Sequence, residues 1–541
     1  MLRGVRDHVI LSRQAKDPAR HLPREIFWGS LGGFLLALAY PSAALWPLAW
    51  IAFIPLLASL YHADNLRDAV ASSFAAGSVF FLVSCSWISH VSAAGCVLLC
   101  LYLGLFFVPF GIVVYQIYRK RTSAIFWGAI LWVALEFLRG NFLGGFPWNT
   151  LACSQAKFLH LVQMASVTGA YGVSFVVMLV NLTLFEGWLG FRKTKLQYSN
   201  PLSWGALAIL VAALVFGYRE LRIADKAVAV EREPIRIAAI QPNVAQEQKW
   251  DPAHFMRIVT LLRKLTLDAA ASRPLLIVWP ETSIPGELRR DEKAIKFVQG
   301  LAKECGASLL IGSQDSGEGI KPKYFNAAIL IDPNRGIVDT YQKMHLVPFG
   351  EFLPGARAVP FIRRFIPIPE DFSAGLQQTI FSLRGQTLRW KEPDGTLRSE
   401  IQINRFGAVI CFEDIFPEPF RRACMQHMRF MVNITNDAWF KNSGAAMQHA
   451  NSAIFRAVEN RVPLLRATNT GYTCLIDPYG RIRADVRNGD NIFVPGILSA
   501  EITPVHGRTI YNQMGDFFGQ ACLILALVQA FLMIRERRAG K

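Results

Sequence analysis

Three short stretches of the sequence end an apolar run in a side chain that can take part in catalysis. Glu281 ends the stretch VWPE, Lys343 lies in YQKMHLVPFGEF, and Cys411 lies in VICFEDI, where two acids follow it. Each has an ordinary explanation when it is considered alone. These are a solvated loop acid, a lysine whose stem packs on apolar surface while its amine reaches water, and a buried structural cysteine.

The three side chains have complementary chemistry when they are considered together. A thiol is a poor nucleophile until it loses its proton, and its free pKa is about 8.5. A nearby carboxylate can accept that proton, and an ammonium group can stabilise the oxyanion that forms when sulfur attacks a carbonyl carbon. Glutamate, lysine and cysteine at successive strand ends could therefore supply a base, an electrostatic stabiliser and a nucleophile.

The elements that must position these residues follow from the pattern after Pro234. Short apolar runs bounded by turn residues alternate there with longer segments, some of helical period, which predicts an α/β sandwich. Functional residues in such folds tend to lie where strands end in loops. The predicted strands are Ile235–Ile240, Leu275–Trp279, Ser308–Ile311, Ala327–Ile331, Phe406–Cys411, Phe430–Ile434 and Leu464–Ala467.

The first two hundred residues consist mostly of long apolar runs, which is typical of a membrane protein. The chain has 541 residues, of which 52% are hydrophobic, and a span needs about 20 apolar residues. The nine cysteines form no CxxC pair and no metal-ligand spacing, so we predict neither a metal nor a cofactor. The eight predicted spans are Ile26–Tyr40, Trp46–Tyr61, Ala69–Ile88, Gly95–Tyr118, Ser123–Leu138, Tyr171–Leu189, Trp204–Tyr218 and Phe517–Ile534.

The basic residues orient these spans. The net charge is +17, and clusters at 3–24, 119–121, 192–195 and 535–538 all fall on one side of an eight-span bundle. Basic loops face the cytoplasm, so the charge indicates a membrane and not a nucleic acid partner. The predicted parts are a cytoplasmic basic segment (1–25), a seven-helix bundle (26–221), a catalytic domain on the outer, periplasmic side (222–508), and a last span with a basic cytoplasmic tail (515–541).

The order WPE, YxKxHLVPFGE and ICFE resembles the motif order of the nitrilase, or carbon–nitrogen hydrolase, superfamily. With the leading bundle and the closing span, residues 26–534 resemble its membrane-bound branch, the apolipoprotein N-acyltransferases. The resemblance implies an extramembrane αββα sandwich with Glu281 as general base, Lys343 as stabiliser of the tetrahedral intermediate and Cys411 as nucleophile. It also implies that Glu351 and Glu413 support the site.

The resemblance further implies a ping-pong reaction in a bacterial inner membrane. Cys411 would take an acyl chain from a phospholipid, typically phosphatidylethanolamine, as a thioester. The α-amine of a diacylglyceryl-cysteine at an apolipoprotein N-terminus would then accept it, with Trp250 near the substrate.

Phe412 follows the nucleophile where some relatives have tyrosine, which puts a hydroxyl-dependent role there in doubt. The stretch 371–405 is longer than the fold needs, and we predict no function for it.

Two apolar stretches are candidates for lipid contact. Phe146 and Trp148 lie in the Gly- and Pro-rich stretch 139–148, which is either an interfacial aromatic belt or a doorway for a lipid-borne substrate. Arg363 and Arg364 lie within the apolar stretch 352–372. That stretch is either a lid whose arginines meet a phosphate or a loop that packs on the domain.

Two other functions remain open from the sequence. A membrane-tethered amide or nitrile hydrolase would use the same three residues with water as acceptor, although one anchor would suffice for it. A transporter with an accessory domain should carry ionisable residues in the middle of its spans. Glu136 and Glu186 lie toward the ends of their helices instead.

Overall fold

The computed structural model describes residues 18–194, 201–227, 234–317, 323–354, 371–391, 397–504 and 508–539. The helices are α1 (Pro18–Leu38), α2 (Ile54–His62), α3 (Leu66–Ser84), α4 (Ala93–Gly104), α5 (Phe107–Arg119), α6 (Ile125–Asn141), α7 (Leu159–Val162), α8 (Ala165–Thr168), α9 (Ala170–Thr194), α10 (Pro201–Ala227), α11 (Gln246–Lys249), α12 (Phe255–Ala270), α13 (Glu292–Cys305), α14 (Pro417–Cys424), α15 (Ala445–Asn460), α16 (Ile510–Met514) and α17 (Phe517–Ala539). The strands are β1 (Ile235–Gln241), β2 (Leu276–Val278), β3 (Ile284–Glu287), β4 (Ser308–Ser316), β5 (Tyr324–Asp332), β6 (Gly336–Gln342), β7 (Ile380–Lys391), β8 (Leu397–Ile410), β9 (Phe430–Thr435), β10 (Leu464–Thr468), β11 (Cys474–Ile476), β12 (Ile482–Asp485) and β13 (Gly496–Ile502).

The chain forms two compact units. The helical unit comprises residues 1–145, 174–210 and 521–541, and the sandwich unit comprises 146–173 and 211–520. Residues 146–173 therefore group with the sandwich, although the sequence assigned them to the bundle. The contacts explain this grouping, because the main-chain nitrogen of Ala170 donates to Glu459 at 2.9 Å and the Gln163 amide donates to the Tyr479 carbonyl oxygen at 2.9 Å.

The membrane candidates lie largely in the helical unit, although residues 211–226, 170–173 and 517–520 of three of them group with the sandwich unit. Among the described residues, six helical segments are long and apolar enough to cross a bilayer. They are Leu66–Ser84, Ala93–Arg119, Ile125–Gly144, Ala170–Arg192, Pro201–Lys226 and Phe517–Glu536. The predicted span Trp46–Tyr61 is broken, since a 3₁₀ turn at Trp46–Trp50 precedes α2, and the nine residues of α2 rise only about 14 Å. The count of eight spans stays a prediction.

Small residues allow a close contact between two helices of this unit. Gly29 and Gly33 of α1 lie one turn apart against α3. A Cβ atom at either position would come within 2.2 Å of the Ser72 carbonyl oxygen or 2.1 Å of that of Ala76. Helices in membranes pack tightly through such small-residue pairs, so these glycines let α1 lie directly on α3.

The sandwich unit contains two sheets, as the sequence predicts. One has the strand order β13-β1-β2-β4-β5-β6, with β3 paired to β4, and the other has the order β12-β11-β10-β9-β8-β7. Apolar side chains from both sheets fill the layer between them, and α12 and α13 cover the outer face of the first sheet. The stretch 371–405, which had no predicted role, contributes β7 and the first part of β8, which pair antiparallel.

Candidate active site

The three predicted catalytic residues follow the ends of three strands. Glu281 comes three residues after β2, Lys343 directly follows β6, and Cys411 directly follows β8. The first two strands belong to one sheet and β8 belongs to the other. Gly312 of β4 makes room for Glu281, because a Cβ atom at residue 312 would lie 2.6 Å from the Cα atom of Glu281.

Lys343 lies between two carboxylates. Its Nζ is 2.8 Å from Glu351 Oε1 and 3.7 Å from Glu281 Oε1, and its side chain is 1% exposed. Burial alone would lower the pKa of Lys343, but Glu351 and Glu281 outweigh burial, and the net effect raises the pKa. Lys343 therefore stays an ammonium group throughout the physiological range.

An asparagine that the sequence analysis missed joins the same two carboxylates. Asn326 Nδ2, from β5, donates to Glu281 Oε1 at 2.6 Å and to Glu351 Oε1 at 2.9 Å. The available signal was an amide side chain within the apolar run of β5. Among the described residues the side-chain contacts of Glu281 involve Oε1, which leaves Oε2 available to accept a proton.

Lys249 is a second buried cation that sequence reasoning missed. Its Nζ donates to the main-chain oxygen of Glu281 at 2.8 Å. Burial lowers the pKa of Lys249 to about 8, and Glu281 and Cys411 oppose part of that shift. The signal available in the sequence was its place beside Trp250. Lys249 ties the helical turn before Trp250 to the loop that carries Glu281.

The pKa of the Cys411 thiol lies above its ordinary value. Burial raises its pKa, Glu281 raises it further, and Lys343 opposes them in part. The three side chains therefore lie close enough to affect one another's charge. A thiol with a raised pKa could act as a nucleophile only with a base beside it to accept its proton.

Glu413 joins the Lys343 segment to the Cys411 strand. Its Oε1 accepts from the main-chain nitrogens of Met344 at 2.8 Å and His345 at 2.9 Å, and its Oε2 accepts from that of Ile410 at 2.7 Å. The Tyr341 hydroxyl donates to both oxygens at 2.9 Å. Burial raises the pKa of Glu413, and the three main-chain donors and the Lys343 ammonium oppose the shift. Glu413 thus fixes two strand ends that belong to different sheets.

The sequence is similar to known proteins along almost its whole length. The model of the apolipoprotein N-acyltransferase N-terminal domain matches residues 32–183, and that of carbon–nitrogen hydrolase matches residues 236–506. The apolipoprotein N-acyltransferase of Geobacter metallireducens is 34% identical, over 95% of this chain and 96% of its own length. The chain belongs to the apolipoprotein N-acyltransferase family. The Chlorobaculum tepidum member is 29% identical, over 96% of this chain and 98% of its own.

Among solved structures, an amidase from Nesterenkonia sp. matches this acyltransferase-family chain with a TM-score of 0.35 and 19% identity, over 54% of this chain and 95% of its own. Saccharomyces cerevisiae Nit3 matches with a TM-score of 0.36 and 18% identity, over 51% of this chain and 92% of its own.

The other predicted substrate residues of this family member have different surroundings. Trp250 is 49% exposed, directly after α11, which leaves its ring open to a ligand. Phe146 and Trp148 stack at 6.4 Å between ring centroids, but Trp148 is 3% exposed. Its indole nitrogen donates to Gln448 Oε1 at 2.8 Å. Trp148 is thus a buried residue of the sandwich unit. Whether the stretch 139–148 is an aromatic belt or a doorway for a lipid-borne substrate stays a prediction.

Two further predictions concern loops. Arg363 and Arg364 lie outside the described residues, so their contact with a phosphate stays a prediction. The Phe412 ring lies 4.9 Å from that of Phe416 and 5.9 Å from that of His345. These are apolar contacts of the ring face and edge, and they explain how phenylalanine is accommodated at this position.

Proposed function

We propose that this protein moves an acyl chain from a membrane phospholipid, typically phosphatidylethanolamine, to the α-amine of the diacylglyceryl-cysteine of an apolipoprotein, through a thioester on Cys411. Family membership supports acyl transfer to lipoproteins. The meeting of Glu281, Lys343 and Cys411 at three strand ends, with Lys343 fixed between two carboxylates, carries the assignment of the residues.

In the first half-reaction, Glu281 accepts the Cys411 proton while the sulfur attacks an ester carbonyl of the phospholipid. The oxyanion that forms lies beside the Lys343 ammonium, whose raised pKa keeps it charged. The intermediate collapses with cleavage of the carbon–oxygen bond. The glycerol oxygen leaves with the proton from Glu281, and a lysophospholipid and acyl-Cys411 remain.

In the second half-reaction, the α-amine attacks the thioester carbonyl and Glu281 accepts a proton from the amine. Collapse of the second intermediate breaks the carbon–sulfur bond, and the thiolate receives that proton. The amide bond stays with the lipoprotein. The raised pKa of the Cys411 thiol favours this last protonation, so the same burial that makes a base necessary also restores the resting enzyme.

The proposed site faces the periplasm, with eight spans and both termini in the cytoplasm. Two contacts in the helical unit support the shared side of the basic clusters. Lys120 after α5 contacts Glu536 of α17 at 2.7 Å, and Glu186 of α9 accepts from the Ser123 hydroxyl at 2.7 Å. The basic residues near the ends of α5, α9 and α17 therefore lie at one end of this unit, as the positive-inside rule requires.

The test is the mass of the full-length protein in detergent after incubation with phosphatidylethanolamine alone. We expect an adduct of one acyl group on Cys411, with lysophospholipid released. Cys424→Ala is a matched control, since Cys424 is another buried thiol whose pKa burial raises. This variant should acylate normally. An adduct that survives Cys411→Ala would overturn the assignment of the nucleophile.

Addition of a diacylglyceryl lipopeptide then separates transfer from hydrolysis. We expect the adduct to disappear as the triacylated peptide forms. Release of free fatty acid at the same rate with and without the peptide would indicate a hydrolase that uses the same three residues.

A further inference from the structure

Cys411 has an unusual backbone conformation. Its φ is +54°, in the left-handed region that residues with a side chain rarely adopt. Such a conformation persists only where the surroundings hold it. The Cys411 carbonyl oxygen accepts from Asn433 Nδ2 at 3.1 Å and from His449 Nε2 at 3.2 Å. Two side chains behind the nucleophile therefore hold its main chain.

His449 lies within a buried cluster of charges. Its Nε2 is 2.7 Å from Asp414 Oδ1, and its Nδ1 is 3.0 Å from Asp437 Oδ1. Arg466 of β10 contacts Asp414 and lies 3.8 Å from Asp437 Oδ2. All four side chains are at most 1% exposed. Buried charges are tolerated when they are paired, and two anions balance two cations only if His449 carries a proton.

The groups that face His449 determine its charge. Burial alone would lower its pKa and Arg466 opposes protonation, but Asp414 and Asp437 outweigh both and raise the pKa to about 9. The same contacts keep the pKa of Asp414 below its usual range despite burial. Cys411 contacts His449 through its main-chain oxygen.

Trp148 holds the imidazole ring from a third direction. The two ring centroids are 5.3 Å apart with 36° between the planes. The Trp148 indole is itself fixed by Gln448, the residue before His449. An aromatic face beside a cation is favourable, so the 146–148 stretch supports the site from within the sandwich unit.

We propose that His449 is a positioning residue for acyl transfer, which as an imidazolium held by Asp414 and Asp437 keeps the Cys411 carbonyl in place and so aims the thiol. The proposal rests on Cys411 being the nucleophile. A neutral imidazole has a single N–H, which could serve either Asp437 at Nδ1 or the Cys411 carbonyl and Asp414 at Nε2. Only the protonated ring serves both sides at once.

The test compares single-turnover formation of acyl-Cys411 in wild type and His449→Gln, as full-length proteins in detergent, between pH 6.5 and 10. Below pH 9 we expect the variant to be slower by about tenfold to a hundredfold, the range of a lost hydrogen bond from a charged donor. The ratio of the wild-type rate to the His449→Gln rate should fall toward one as pH rises through about 9, because the wild type then loses its imidazolium. The titration of Lys249 affects both proteins and cancels in the ratio.

A merely structural role would give a ratio that does not depend on pH, and that result would overturn the proposal, as would a ratio near one throughout. His427→Gln is the matched control, since His427 is an exposed histidine of the same unit that contacts Arg508. The ratio of the wild-type rate to the His427→Gln rate should stay near one at every pH. Absence of acyl-Cys411 in the wild type would instead mean that the proposed function has failed.

Asp414→Asn provides a second test that does not require His449→Gln to fold. It removes a carboxylate that raises the pKa of His449. The pH at which the acylation rate falls should therefore move to a lower value than in the wild type. An unchanged pH would contradict the proposal.

Discussion

Glu413→Gln should cost more stability than its conservative chemistry suggests. The carboxylate accepts three main-chain N–H groups on two oxygens. An amide has one oxygen, so its NH₂ group must face at least one of those donors. The less costly orientation turns NH₂ toward Ile410 and retains the bonds from Met344 and His345. The Tyr341 hydroxyl can then act as an acceptor.

The magnitude follows from that orientation. A hydrogen bond to a charged group contributes about 1.5–3 kcal/mol, and the retained bonds weaken when the charge is lost. We therefore expect a loss of about 2–4 kcal/mol in the free energy of unfolding. At about 2 °C per kcal/mol for a unit of this size, the Tm should fall by about 4–8 °C. Acyl-Cys411 should also form more slowly, because Met344 and His345 directly follow Lys343.

The assay is thermal unfolding of the purified protein in detergent, followed by single-turnover acylation. Glu304→Gln is the matched control. Glu304 pairs with Arg263 at 2.9 Å on the surface, where both side chains are 48% exposed. Such pairs contribute about 0–1 kcal/mol, so its Tm should change by less than about 2 °C. Equal Tm values for the two variants would refute the view that Glu413 joins the two strand ends.

Three further predictions concern the reaction and the topology. Cys411→Ser should abolish turnover while the protein remains folded, since a serine hydroxyl is far harder to deprotonate than a thiol; lipoprotein acylation at the wild-type level would refute this. Glu281→Gln should slow thioester formation by roughly two to four orders of magnitude, the usual contribution of a general base, and a normal rate in single turnover would mean that another residue is the base. Reporter fusions at Lys541 and at Asp394 should lie in opposite compartments; the same compartment for both would mean that the span count is wrong by one.

The sandwich and its three strand ends could be predicted from the sequence because their signals are local. A polar side chain at the end of an apolar run is visible within a few residues, as at Glu281 and Cys411. Asn326, Lys249 and His449 could not be found in this way. Each acts across a strand, a loop or a layer, and the register that brings them to the site is set by packing of the whole unit.

The membrane half was harder to predict for a different reason. Hydropathy measures composition, and the stretch Trp46–Tyr61 is as apolar as a span. Its conformation is decided by Pro47 and Pro55, which begin a 3₁₀ turn and a separate short helix. The surroundings of Trp148 could not be predicted for a similar reason, because tryptophan is typical both of membrane interfaces and of buried sites with a hydrogen-bond acceptor. The acceptor of the Trp148 indole, Gln448, lies 300 residues further along the chain, so no local pattern indicates it.

The two acids after Cys411 illustrate how a local motif can organise two sides of a site. The short 3₁₀ helix Cys411–Ile415 points consecutive side chains in different directions. Glu413 reaches across to the Lys343 segment of the other sheet, whereas Asp414 turns to Arg466 and His449 behind the nucleophile. Glu413 therefore helps to fix the position of the Lys343 ammonium relative to the Cys411 thiol. Asp414 favours a charged His449 beside the main chain of Cys411. A substitution of either acid should slow acylation, but only that of Asp414 should change the pH at which the rate falls.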